Sequence, residues 1–165
     1  EAVEQLVRLD RAVAAGVDLK ALSPATEFVF YLTSPGAERL VAEYATREHP
    51  AGRGYDAIPL GERVSGWVAA NRQQIINSDA RLDLGPSAST TSLRYCVATP
   101  LVDDGHITGV LAAYSDVPLA AEVAHQLALV APSLAAAIAR AASGVPLRPA
   151  KAHLARPSLR VASSR

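Results

Sequence analysis

Methionine is absent from the 165-residue chain, cysteine and tryptophan occur once each, and aromatic residues make up 5%. A single cysteine excludes an internal disulfide framework and suits a reducing compartment, so a cytoplasmic setting is expected. No apolar run approaches the ~20 residues of a membrane-spanning helix, and no stretch has the form of a signal peptide. Neither charge sign is in excess, with 16 Lys and Arg against 16 Asp and Glu. That balance speaks against a nucleic-acid partner. The missing Met and the opening Glu1 read as an excised piece of a longer protein. What is present is apolar and small: half the residues are hydrophobic, and 33 are Ala. This is enough to bury one core of ordinary domain size and too apolar for a disordered chain.

The neutral total conceals a division. Residues 1–144 carry a net charge of −5 and residues 145–165 carry +5. The basic part holds Arg148, Lys151, Arg156, Arg160 and Arg165 with no acid. A domain over 1–144 and a basic linker or tail over 145–165 are expected, with no nucleic acid as partner.

Periodicity supplies the elements. Ala2, Leu6, Leu9 and Val13 form one face of a helix within 1–19, which either packs on its own domain or pairs with another helix. Residues 27–33 (EFVFYLT) are β-branched and aromatic, a buried strand. A turn follows at Ser34-Pro35-Gly36. The strand at 40–47 should carry Leu40, Ala42 and Tyr44 on one side and Glu43 and Arg47 on the other. Pro and Gly mark 48–60 as a loop. Val64, Trp67 and Val68 form the apolar face of a short helix over 61–70, with Asn71 at its end. A short strand at 74–77 leads into a long loop over 78–92, with room for a helical turn. Strands 93–102 and 106–114 meet at Asp103-Asp104-Gly105, a strong hairpin signal. Pro100 calls for a bulge or an unpaired position. A helix over 118–143 has Asp116 as cap and Pro118 in its first turn. Val123, Leu127, Val130, Leu134, Ala137 and Ala141 repeat 4, 3, 4, 3, 4 along it. Pro132 interrupts it. This order predicts an α+β fold: an antiparallel sheet, the terminal helices on one face, and loops over the other with room for a pocket.

Two stretches, GERVSGWVAANRQQIINSDARLDLG (61–85) and LRYCVATPLVDDGHITGVLAAYS (93–115), resemble a GAF domain over roughly residues 20–142. The Gly-x-x-x-Ser-Gly-Trp-Val helix, the Ile-Ile-Asn strand, the Thr-Pro-Leu strand and the Ile-x-Gly-Val-Leu strand occur in the family's order. The wording of 61–85 is most similar to GAF domains of bacterial signalling proteins, notably those joined to diguanylate cyclase (GGDEF) domains. The resemblance implies a PAS-like central antiparallel sheet of five or six strands in order 2-1-5-4-3. It also implies terminal helices at a homodimer interface, a small-molecule pocket on the opposite face, and an attached output domain. Leu6, Leu9, Val13, Val123, Leu127, Val130 and Leu134 would form that interface.

The family's chemistries are tested against these residues. Bilin-attaching relatives use Cys followed by His, and here Val97 follows Cys96. Sulfoxide-reducing relatives use several cysteines, and one thiol cannot run a resolving cycle. The cyclic-nucleotide pattern of Asn-Lys and Phe-x-x-x-Asp-Glu is missing, which puts cyclic nucleotide in doubt. His49, His106, His125 and His153 show no metal-ligand spacing; a haem ligand would need only one of them. There is no Gly-x-Ser-x-Gly elbow, and Gly61 through Gly66 lacks the Gly-Lys-Ser/Thr ending of a phosphate loop. Asp103 and Asp104 read as a solvated hairpin tip. No cofactor is assigned. Tyr31, Trp67, Asp79, Arg94 and Cys96 are the candidate ligand-binding residues, with Arg81 and Asp83 beside them in the covering loop. The expected function is small-molecule sensing and dimerisation in a signalling protein, without catalysis. The alternative is a ligand-free dimerisation or spacer module.

Overall fold

A computed structural model describes residues 19, 23, 26–34, 36, 38–46 and 55–143. Six strands form one antiparallel sheet: β1 (Glu27–Thr33), β2 (Arg39–Ala45), β3 (Ile58–Pro59), β4 (Ile75–Asp79), β5 (Tyr95–Asp103) and β6 (His106–Ser115). Their order is β3-β2-β1-β6-β5-β4. The first and last strands in sequence, β1 and β6, pair at the centre, so the chain crosses from one edge of the sheet to the other between β3 and β4. Without the two-residue edge strand β3, this is the five-strand order expected above. That edge strand lies inside the stretch read as loop, where Ile58 pairs with Leu40 and is fully buried.

Helix α1 (Arg63–Asn71), the short helix α2 (Arg81–Leu84) and a 3-10 segment (Gly85–Thr90) lie on one face. Helix α3 (Ala121–Ala142) covers the other. Strand alternation divides the core accordingly. Phe28, Phe30, Val97, Leu101 and Leu111 meet α3, while Val29, Tyr31, Cys96, Ala98 and Tyr114 face α1 and α2. Leu19 packs with the α3 cluster. The remainder of the helix read over 1–19, and the tail at 145–165, lie outside the described residues.

The ladder departs from strict alternation at three bulges. On β2, Ala42 pairs with Tyr31 and Tyr44 with Phe30, so Glu43 is the extra residue. This reverses the side assigned to Tyr44. It leaves the face of Leu40 and Ala42 and meets Phe30 edge-on, ring centroids 6.0 Å apart, on the α3 side. On β6, Thr108 is extra, one pair beyond Pro100, and its hydroxyl donates to the Leu101 carbonyl at 3.0 Å. On β4, Ile76 and Asn77 together oppose one residue of β5.

The β5–β6 turn is the two-residue hairpin its sequence demands. Asp103 pairs with His106, and Asp104 and Gly105 both take positive φ, at 45° and 75°. Gly66 answers a different need, since a Cβ there would sit 2.2 Å from the Pro59 carbonyl oxygen. Its absence lets α1 rest against β3. Arg72, not Asn71, takes the left-handed cap of α1, and its amide donates to the Val68 carbonyl at 2.8 Å.

Helix α3 begins three residues later than its sequence signals suggest. Pro118 precedes the helix, and the Ala120 carbonyl accepts from the amides of Val123 and Ala124. Asn77 anchors this start from the edge of the sheet. Its amide group donates to the Leu119 carbonyl and its oxygen accepts from the Leu119 amide, both at 2.9 Å. The 121–140 stretch is long and apolar enough, by length and composition, to cross a membrane, which the run-length reading did not find. In the fold its Leu127, Leu134 and Ile138 face packs on the sheet, the position of a core helix.

Candidate functional site

Asp83 is the one carboxylate of the described residues with almost no exposure, 1%. Helix α2 places it there. Asp79 starts that turn by accepting from the Arg81 amide at 2.9 Å, and four residues after Asp79 the buried Asp83 points inward between α1 and the sheet. Burying a charge is costly unless donors surround it. Here the Ser65 amide donates to Oδ1 at 2.7 Å, and the Ser65 hydroxyl to Oδ2 at 2.6 Å. The Tyr114 hydroxyl donates to Oδ2 at 2.5 Å, and the Cys96 thiol lies 3.9 Å from the same oxygen. Tyr31 extends the chain of hydroxyls, 3.1 Å from that of Tyr114. Residues from α1, α2, β1, β5 and β6 thus converge on one negative charge.

Aromatic rings close the cluster. Tyr55 stacks on Tyr114 with centroids 6.2 Å apart and meets Tyr31 edge-on at 6.1 Å. Its hydroxyl donates to Glu27, which is itself buried. Arg63 lies at the rim. It donates to the Asp83 carbonyl at 3.2 Å and pairs with Asp56 at 3.6 Å, a partly exposed pair of small energetic weight.

The electrostatics follow from burial. Desolvation first, then the Asp83 charge and the hydrogen bond to it, pushes the Cys96 thiol well up. Burial, then Tyr31 and Asp83, does the same to Tyr114. Burial and Asp83 raise Tyr31 as well. The cluster is therefore one anionic acceptor among neutral donors. A thiol held protonated is a poor nucleophile, so the arrangement suits recognition of a donor group better than covalent chemistry.

Of the five candidate ligand-binding residues, the fold brings two together, Tyr31 and Cys96. The other three lie away from that cluster. Trp67 is 39% exposed, because α1 turns its small residues Ser65 and Gly66 inward. Asp79 pairs with Arg81 at the surface, at 2.6 Å, and this holds its carboxyl down to about 2. Arg94 is exposed and donates to the carbonyls of Thr91 and Leu93. Ser65, Tyr114, Tyr55 and Glu27 were not singled out. The available signals were Ser65 before Gly66 on a helix and a lone Tyr ending an Ala-rich strand.

Of the interface candidates, Leu127 and Leu134 are buried against the chain's own sheet, with Val123 and Val130 packed beside them. The seam read for another helix is thus the sheet-facing side of α3. Leu6, Leu9 and Val13 lie outside the described residues. His106 sits at the exposed hairpin tip and His125 on the exposed side of α3.

A family model described as "GAF domain" matches residues 4–139. The chain belongs to the GAF domain family. Solved structures share the fold. The GAF domain of an Acinetobacter phosphoenolpyruvate-protein phosphotransferase is 16% identical with a TM-score of 0.64, covering 85% of this chain and 93% of that one. The GAF-B domain of DevS from Mycobacterium smegmatis is 22% identical with a TM-score of 0.61, covering 84% and 96%. Free methionine-R-sulfoxide reductase from Neisseria meningitidis, in complex with its substrate, is 24% identical with a TM-score of 0.59, covering 87% and 80%. No curated protein matches in sequence.

Proposed function

We propose that this domain senses a small molecule on the Asp83 side of the sheet. It passes the state of that site to an output domain of a bacterial signalling protein, and it performs no catalysis itself. The convergence of five elements on the Asp83 carboxylate supports this reading. A ligand donor that replaces Ser65 or Tyr114 at Asp83 changes how α1 and α2 sit on the sheet. Cys96 faces that cluster, and its neighbour Val97 faces α3. A shift in β5 therefore reaches the terminal helix in one residue. A ligand moves such an equilibrium only by its differential affinity for the two arrangements. The wording of residues 61–85 extends the proposal to a GGDEF output.

Calorimetry against a broad metabolite set tests the sensor. Asp83→Asn should weaken a binder about tenfold or more, the loss of a hydrogen bond to a charged group, while Tyr114→Phe, which removes the hydroxyl that a ligand donor must displace from Asp83, should tighten it. A binder indifferent to both substitutions, or none in the set, overturns the reading. Methionine sulfoxide turnover that Cys96→Ser abolishes would overturn the non-catalytic part. One observation favours the alternative of a ligand-free spacer: Ser65 and Tyr114 already occupy Asp83, and the three tyrosines pack on one another.

A further inference from the structure

On the α3 face a cleft of about 260 Å³ lies where the end of α1, the β4–β5 edge and the middle of α3 meet. Three of its polar groups have unused capacity. Arg72 is exposed and has no ion-pair partner among the described residues. Thr99 is 2% exposed; its hydroxyl accepts from the Gln74 amide at 2.9 Å, and no described acceptor takes its own proton. The third group is a helix carbonyl. Pro132 has no N–H, so the Ala128 carbonyl loses the donor that an α-helix normally supplies. One turn earlier, the Ala124 carbonyl accepts from Gln74 at 2.8 Å. The same row of carbonyls therefore runs along the cleft wall that Gln74, Ala128 and Pro132 share.

We propose that this cleft is a second small-molecule site, which takes a small carboxylate carrying an adjacent hydrogen-bond donor, a hydroxy acid or an amino acid. The carboxylate meets the Arg72 guanidinium and the Thr99 hydroxyl proton. The donor meets the Ala128 carbonyl. Pro100, Val102 and Ala131 supply apolar wall for a short side chain. The site lies across the sheet from Asp83 and stands independently of the sensing role proposed there.

Amide-resolved NMR titration of the intact chain with L-lactate, L-alanine and acetate tests it. Lactate or alanine should give saturable shifts at Arg72, Val102, Ala128 and Ala131. Whichever of the two binds more tightly identifies the donor as hydroxyl or ammonium. Acetate, lacking the donor, should bind about fivefold more weakly. Arg72→Gln, a surface change, should weaken binding about tenfold, and Thr99→Val should weaken it with an otherwise unchanged spectrum. Asp83→Asn should leave it unaltered, which separates this site from the other face. Acetate binding as tightly as both other probes overturns the proposal. So does an Arg72→Gln protein that titrates like the wild type, or the lack of any saturable change at these amides.

Discussion

Cys96 and the tyrosines beside it are neutral acids packed around a buried carboxylate, and this fixes the sign of their pH dependence. Their folded-state pKa values are raised. An unfolded thiol titrates near 9.0 and an unfolded tyrosine near 10.0. Below those values both states hold their protons, and the full stability is present. Above them the unfolded chain releases protons that the folded chain retains, so stability falls as pH rises. Urea midpoints measured across about pH 8 to 11 should decline from near pH 9 in the wild type and only from near pH 10 in Cys96→Ala. A flat wild-type profile would contradict the buried neutral cluster. Residue identity carried part of this in the sequence. Tyr31 and Cys96 stand on strands with clear alternation. The outward placement of Trp67 and Arg94 was not legible, because the direction a large or charged side chain points depends on packing. Asp83 acquires its role from the α2 turn, whose inward side no local pattern marks.

Elements were most legible where turn chemistry and period agree, as in the Asp104-Gly105 hairpin and β1. They were least legible at bulges, where one extra residue re-aims all that follows. Asn77 is the sharpest case. Its φ of 52° lies in the left-handed region, which Asn tolerates better than most residues. The bulge there turns its side chain to clamp Leu119, 42 positions away. The clamp explains why α3 starts after Pro118 and not at it. Asn77→Ala should cost about 2–4 kcal/mol, from two hydrogen bonds and the backbone strain. Asn77→Gly should recover about 1 kcal/mol of that by relieving the strain alone. In both variants the amides of Val123 and Ala124 should exchange faster with solvent. Equal denaturation midpoints for the wild type and both variants would refute the clamp.

At the scale of the whole molecule, the sheet has two covered faces and α3 has two sides. Alternation along β5 and β6 assigned the strands to their faces once the fold was known, but the helical seam could not say which surface it would meet. The sheet claims it: Leu127 and Leu134 fill the core, each burial worth about 1.5–3 kcal/mol. Any homodimer through α3 must therefore use the opposite side, which carries His125 and Leu129, the latter 59% exposed. Leu129 is the one exposed large hydrophobic residue of this helix. One turn to either side of it on the same surface lie His125, Pro132 and Ser133, all exposed. Asp in its place would put like charges against each other across a two-fold interface, yet as a surface change it should alter folding stability by only about 0.5 kcal/mol. Sedimentation equilibrium should thus give a dimer mass for the wild type and a monomer mass for Leu129→Asp, with similar melting temperatures. A wild-type monomer would remove the dimer from the reading. A Leu129→Asp dimer would take the interface off α3, and Leu6, Leu9 and Val13, whose spacing in the sequence predicts a helical face, are the residues to change next.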